Sequence, residues 1–421
     1  MLENINPNRR DFLKLLSTSA IGAGISLNMP SLFSKSKIII PKRVEHVIYL
    51  FMSGGMSHID TFDPKPGTKV QGQFKTIDSA NGNKISEKLP KLAKLMDRVA
   101  LINSMNSNEG SHPRGQYLLH TNFPPLGTLV HPTMGSWISK YADSKSDVLP
   151  NFITIGKSKY GSGYFGSKYE PLNISNPQKG LANIKINPNL SKKQFEDRLG
   201  LLEELNKSFS KKIKTKNKMA YDDYYQESLK IMFSDDAKAF DINDESNEIK
   251  ALYGNNKFGE GCLLARRLVE KNVKFIEVSL GNWDTHNDNF ERVDVLSQTL
   301  DQGLSALLID LEKRKLLDKT LITLGTEFGR SPKINDRNGR GHYPKAFSCL
   351  LAGGGIKGGI VLGKTDEEGR KIIENPVTHQ DVNATMAYLA GINPQKEVYS
   401  NVGRPFKLAN KGKPIFDIIK K

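Results

Sequence analysis

Three short motifs in the last third of the chain carry side chains able to hold a metal ion. They read Asn282-Trp283-Asp284-Thr285-His286, Thr326-Glu327-Phe328-Gly329-Arg330 and Gly339-Arg340-Gly341-His342-Tyr343-Pro344. Asp284 and His286 are two apart on a segment that reads as extended, so both side chains leave on one side. A carboxylate and an imidazole so placed can chelate one cation, while Trp283 faces the other way as a packing wall. His58 and Asp60 repeat the spacing near the amino-terminal end. Glu327 and His342 complete the candidate donor set: His58, Asp60, Asp284, His286, Glu327 and His342. Mixed oxygen and nitrogen donors suit Zn²⁺ or Mn²⁺ better than Mg²⁺ or Ca²⁺, which favour all-oxygen shells. The chemistry expected of such a site is hydrolysis.

Each part has a plainer reading. Asp-x-His pairs also arise as caps and surface hydrogen bonds. Glu327 could instead pair with Arg330 or Arg340, and His58 could orient a loop without touching metal. Arg114, Arg330 and Arg340 are the nearest cations. A guanidinium fork matches phosphate or sulfate oxygens with two bonds at once, or pairs with a neighbouring carboxylate. His46 reads as a core histidine and His379 as a structural or rim residue. His120 and His131 have no ligand-like neighbours.

These residues need a scaffold that gathers loop ends. Glu45–Met52 is almost continuously apolar, as in a strand buried on both faces, and it ends at Ser53-Gly54-Gly55. A helix is expected around Leu89–Leu95, with strands at Val99–Ile102 and Phe152–Ile155. Residues 190–255 turn rich in Lys, Glu, Asp and Asn and read as a helical insertion or cap. Beyond them come a helix (Phe258–Glu270), a strand (Val273–Leu280) and an amphipathic helix with leucines at 296, 300, 304, 307, 308 and 311. Strands at Thr320–Leu324 and Phe347–Ala352 follow. A helix at Asp381–Leu389 closes the pattern, with Thr378 or Asp381 near its cap. Alternation of strand and helix predicts an α/β fold, a mostly parallel sheet sandwiched by helices. Ligands bind such sheets outside the carboxyl ends of the strands, where all three motifs fall.

A chain of 421 residues allows one large domain or two smaller ones. The formal charge of +16 draws on lysine runs such as Lys211-Lys212-Ile213-Lys214. With no aromatic-interleaved basic stripe, zinc finger or recognition helix, nucleic acid is not the expected partner. The lysines read as a solvated helical face or as attraction for anionic substrates. Cys262 and Cys349 lie in apolar runs and read as buried thiols rather than a disulfide framework. At the amino terminus, Asn8-Arg9-Arg10-Asp11-Phe12-Leu13-Lys14 precedes a weakly apolar run. That resembles a twin-arginine export signal, which makes the export machinery a partner. The run is too short to span a bilayer comfortably. Residues 1–40 are thus expected to be signal and linker, and 41–421 the folded domain. The destination would be the periplasm or exterior, with an uncleaved anchor open and no transmembrane span in the mature domain.

VIYLFMSGGMSHIDTFDPKPG, LLARRLVEKNVKFIEVSLGNWDTH, TEFGRSPKIN, GRGHYP and AGGGIKGG…GKTDEEG together resemble the bacterial domain-of-unknown-function 1501 family. The likeness runs from about residue 40 to the end, with the motifs in order. The family is similar to sulfatases and to the alkaline phosphatase-like superfamily, whose members hydrolyse phosphate or sulfate esters at one or two metal ions beside an α/β sheet. The resemblance implies a metal-binding role for Asp60. It implies a first metal held by Asp284 and His286, His342 as the late histidine ligand, and Glu327 where the superfamily has an Asp-His pair. Phe328 follows Glu327, so the second-metal histidine is absent there. Ser111-His112-Pro113-Arg114 is similar to the sulfatase signature around the nucleophile, but Gly115 stands where that signature has its arginine. Ser111 is therefore expected as an unmodified nucleophile or a helix cap, with Ser57 and Thr61 as alternatives. His112 is expected as an acid or ligand, and Arg114 or Arg330 as the charge stabiliser. The function so implied is an exported metal-dependent hydrolase of sulfate or phosphate esters, acting on an anionic small molecule or glycan. The rival is a non-catalytic exported protein that binds anionic glycans or a secreted partner through the same site.

Overall fold

The structure is a computed structural model that describes residues 40–141, 148–181, 189–212, 225 and 228–421. The twin-arginine stretch lies outside these residues, as does the lysine run from Ile213 onward. Among the described residues nine strands form the central sheet: β1 (His46–Met52), β2 (Val99–Asn106), β3 (Phe152–Ile155), β4 (Leu172–Ile174), β5 (Phe275–Leu280), β6 (Thr320–Gly325), β7 (Phe347–Gly353), β8 (Val361–Leu362) and β9 (Val377–Thr378). Their order is β8-β2-β7-β6-β1-β5-β3-β4, with β9 also on β2. β1 is central and parallel to β5 and β6, and β3 is parallel to both β5 and β4. β7 alone runs against its neighbours β2 and β6. The sheet is thus mixed and mostly parallel.

Seven helices matter for the layers: α1 (His112–Thr121), α2 (Met134–Tyr141), α3 (Lys192–Lys212), α4 (Asn247–Tyr253), α5 (Lys257–Glu270), α6 (Asn289–Lys313) and α7 (His379–Leu389). The expected helix at 89–95 shrinks to one turn, Pro90–Ala93. Alternation along β1 serves two cores at once. Ile48, Leu50 and Met52 pack with α5 and α6, through residues such as Leu264, Leu300 and Leu307. Val47, Tyr49 and Phe51 pack on the other face with Trp137 of α2 and Met386 of α7. Burying both faces of β1 explains its unbroken apolar run. Asp310, Glu270 and Glu245 surround the buried Arg266 behind α5 and tie that layer together. Thr378 caps α7 reciprocally with Asp381, a capping box. Within residues 190–255, α4 and the turns at Asp235–Phe240 and Ile242–Asp244 pack against α5 and α6. No helix among the described residues is long and apolar enough to cross a membrane.

The carboxyl ends of β1, β2, β5 and β6 lie on one side, because these strands share a direction. The amino end of the reversed β7 lies there too. Four loops, 53–56, 107–111, 281–288 and 326–328, therefore meet at one edge, joined by the short strand Arg340–Tyr343, which pairs with Gly329–Ile334.

Candidate metal centre

Asp284 is the hub. Its Oδ1 lies 3.3 Å from Nε2 of His112, 3.1 Å from Nε2 of His286 and 3.4 Å from Nε2 of His342. The Nε2 atoms of His286 and His342 are 2.9 Å apart. Donor atoms about 2.0–2.1 Å from a tetrahedral ion stand roughly 3.3 Å from one another, and the three contacts to Oδ1 of Asp284 are of that size. Ligand atoms of His112, Asp284 and His342 all lie within 4.8 Å of one another.

The other face of each imidazole is tied down. Nδ1 of His342 meets the carbonyl of Gly110 at 2.8 Å, and a carbonyl only accepts, so Nδ1 carries the proton. Nδ1 of His112 meets Oε1 of Glu327 at 2.7 Å. In the neutral rings both Nε2 lone pairs then face Asp284. A carbonyl or carboxylate behind the ring is the usual support of a metal-bound histidine. Nε2 of His112 is buried without any hydrogen-bond partner. The charged group facing it is Oδ1 of Asp284, 3.3 Å away. Two imidazoles held from behind at Nδ1, with Nε2 aimed at one carboxylate oxygen, are a donor set that fits a divalent cation.

Glu327 stands behind His112, on its Nδ1 side. It is fully buried and accepts from the backbone N–H of Gly54 at 3.0 Å and from Gln116 at 3.1 Å, besides His112. Neither arginine offered to it by the sequence is its partner. Burial pushes its carboxyl up, but His112, the backbone and Gln116 outweigh that, and its pKa falls below the ordinary value. The same contact raises His112 despite burial. Burial also raises Asp284, yet Arg330 and His112 overcome it and hold Asp284 down at about 2. His342 is lowered, mainly by burial.

The loops are cut to fit. Gly54 has φ +118°, and a Cβ there would sit 2.5 Å from the backbone nitrogen of Asp284, so only glycine lets β1's turn pass this close. Asn282 adopts φ 75° as the chain leaves β5. Arg292 of α6 donates to the carbonyls of Asp284 and Asn282 at 2.9 and 3.1 Å and holds that loop.

The remaining expected residues are placed elsewhere. Asp60 is fully buried and receives Nε and Nη2 of Arg340 at 2.7 and 2.9 Å and Nδ2 of Asn289 at 3.0 Å. The structure so brings Asp60 to Arg340, not to Asp284. His58, also fully buried, donates Nε2–H to the carbonyl of Gly369 at 2.9 Å. Arg330 is buried against Asp284 and also donates to the carbonyls of Gly54, Gly55 and Arg340. Arg114 is exposed and forks onto Glu109 at 2.6 and 2.8 Å. Ser111 occupies the N-cap position of α1 without a side-chain capping bond. Ser57 and Thr61 are spent inside their own turn. His379 is buried against the carbonyl of Glu327, and His46 is buried at the start of β1. Sequence reasoning missed Gln116 and Gly110. Gln116 was visible only as the residue one helical turn beyond His112.

Residues 44–419 match the family model described as a protein of unknown function, DUF1501, and the chain belongs to that family. A search of curated proteins finds no match. Among solved structures the chain is similar to a sulfatase from Pseudoalteromonas sp., at 13% identity and TM-score 0.41, covering 84% of this chain and 68% of that one. It is similar to a protein in the alkaline phosphatase superfamily from Vibrio parahaemolyticus, at 11% identity and TM-score 0.40, covering 90% and 71%. It is also similar to the C-terminal periplasmic domain of EcEptC from Escherichia coli in complex with zinc, at 9% identity and TM-score 0.39, covering 90% and 99%.

Proposed function

We propose that this chain is an exported metal-dependent hydrolase of sulfate or phosphate esters, with anionic small molecules or glycans as substrates. One observation carries the reading: three imidazole nitrogens converge on one oxygen of Asp284 at the carboxyl edge of the sheet. His112, Asp284 and His342 would hold the cation, with His286 completing the set at the rim. Zn²⁺ or Mn²⁺ suits three nitrogens and one oxygen. Such an ion supplies a Lewis acid for a nonbridging ester oxygen.

The chain's own groups supply the rest. Glu327 and Gly110 fix the ring orientation of His112 and His342 before any ligand arrives. Asp284 and Glu327 bring two negative charges and Arg330 one positive. A divalent cation would then leave the site net positive, matched to an anionic ester. Ser111 stands exposed at the start of α1, next to His112, and its hydroxyl is the candidate nucleophile. Backbone N–H groups at the start of a helix favour the negative charge that builds there.

The non-catalytic reading keeps one specific support. Arg330 and Arg114 are both engaged, by Asp284 and Glu109 respectively, so neither faces a substrate with a free fork. Aryl sulfate and aryl phosphate turnover with added Zn²⁺ or Mn²⁺ separates the two. Turnover lost in Asp284→Ala supports the hydrolase. Metal binding without turnover of either ester leaves a binding protein. Absence of bound metal removes the hydrolase reading.

A further inference from the structure

Helix α1 presents polar side chains at its first, fifth and ninth residues, His112, Gln116 and His120. A spacing of four aligns them along one side of the helix. The first two end on Glu327, at 2.7 and 3.1 Å. The third ends on a different carboxylate: Nε2 of His120 lies 3.2 Å from Oε2 of Glu277, and its Nδ1–H donates to the carbonyl of Gln116 at 2.7 Å. Glu277 sits mid-strand in β5, beside Tyr49 of β1 and Thr154 of β3. His120 is 7% exposed and Glu277 2%. Oε1 of Glu277 has no hydrogen-bond partner.

A buried ion pair with an unfilled oxygen is a poor way to stabilise a fold. Apolar residues of like volume often serve as well or better. The adjoining void, about 10 Å³ and lined by Tyr49, His120, Thr133, Glu277 and Asn383, has room for no more than one water, so the pair is not itself a ligand site. What such a pair does well is select one arrangement of the elements that carry it. A one-residue slide of α1 would shift His112 along the helix axis by about 1.5 Å. His112 has no such latitude, with Nε2 3.3 Å from Asp284 and Nδ1 2.7 Å from Glu327.

We propose that Glu277 and His120 are positioning residues: their pair sets the rotation and axial placement of α1 on the sheet, and so places Nε2 of His112 against Asp284. The proposal rests on the reading that His112, Asp284 and His342 hold a divalent cation. His120 carries the helix end opposite to the site, and Glu277 belongs to the same strand that delivers Asp284. The pair thereby couples the two segments that supply His112 and Asp284.

The test is Co²⁺ titration of the full chain, read by visible absorption, for wild type, Glu277→Gln and the double variant His120→Leu/Glu277→Leu. Near-ultraviolet circular dichroism reports whether each is folded. Wild type is expected to give the strong absorption of a four-coordinate ion. Both variants are expected to remain folded, bind Co²⁺ at least about tenfold more weakly and show a weaker, shifted band. Folded variants that match wild-type affinity within about twofold, with the same band, overturn the proposal. Failure of both variants to fold also overturns it, since the pair would then serve stability. A wild-type chain that binds no Co²⁺ instead removes the donor-set reading beneath it.

Discussion

Nδ1 of His112 donates to Oε1 of Glu327 across 2.7 Å, and the carboxylate that accepts is fully buried. Glu327 thereby fixes the ring of a candidate donor. Glu327→Gln keeps the volume and removes the charge. The expected outcome is a 10- to 100-fold loss of Zn²⁺ affinity, as for other outer-shell partners, measured by chelator competition. Unchanged affinity in the folded variant would show that His112 needs no such support.

Metal content is the most direct check. Protein purified without chelator is expected to carry about one divalent ion per chain by elemental analysis, as one four-donor shell implies. Asp284→Ala and His342→Ala should each retain almost none. An ion retained by His342→Ala would place the binding elsewhere.

Asp60 separates a structural from a metal-binding role. Asp60→Ala leaves the Arg340 guanidinium buried without its counter-ion, which typically costs about 3–5 kcal/mol in urea unfolding. Asp60→Leu combined with Arg340→Met should recover most of that loss, and it should still bind Zn²⁺. A double variant that folds but binds none would make Asp60 part of the ion's environment.

Gly54 is tested by a single methyl. Gly54→Ala forces a side chain at φ +118° and against the nitrogen of Asp284. A destabilisation of at least about 1–3 kcal/mol is expected, together with reduced metal retention. Wild-type stability and metal content would show that the turn can relax.

Stability should depend on pH through buried neutral histidines. His46 and His379 are both held down at about 4, chiefly by burial. Between pH 6.5 and 4 the unfolded chain binds protons there that the folded chain does not, so stability falls as pH falls through this window. Each contributes at most about 3 kcal/mol. His112 and His120, both raised, act in the opposite sense: their contribution is complete below their unfolded values and is lost as pH rises through the folded ones. Thermal midpoints of wild type and His46→Asn across pH 4–7 check this, and the variant should show the shallower decline. Parallel curves would mean that His46 takes up its proton in the native state.

The sheet was readable because its strands are buried on both faces. The apolar run Val47–Met52 and the Leu, Ile and Thr residues of 320–324 leave few other structures, and the loops that follow them must then share an edge. Periodicity says nothing about direction for a short apolar run, so the reversal of β7 was not visible. Within the site, Asp284 and His286 declared themselves by spacing on one segment. The partner of a buried charge did not: Arg340 selects Asp60 and Arg330 selects Asp284 through contacts made only after folding. His120 looked solitary for the same reason, since Glu277 reaches it from another strand.

His112, Asp284 and His342 arrive on three separate segments of the chain, and none of these segments alone holds a complete donor set. A nascent or truncated chain that has only the 281–288 loop therefore offers an ion two donors, Asp284 and His286, and no more. Occupancy would come last, once the whole sheet has closed, and would report integrity of the entire domain, not of any one loop.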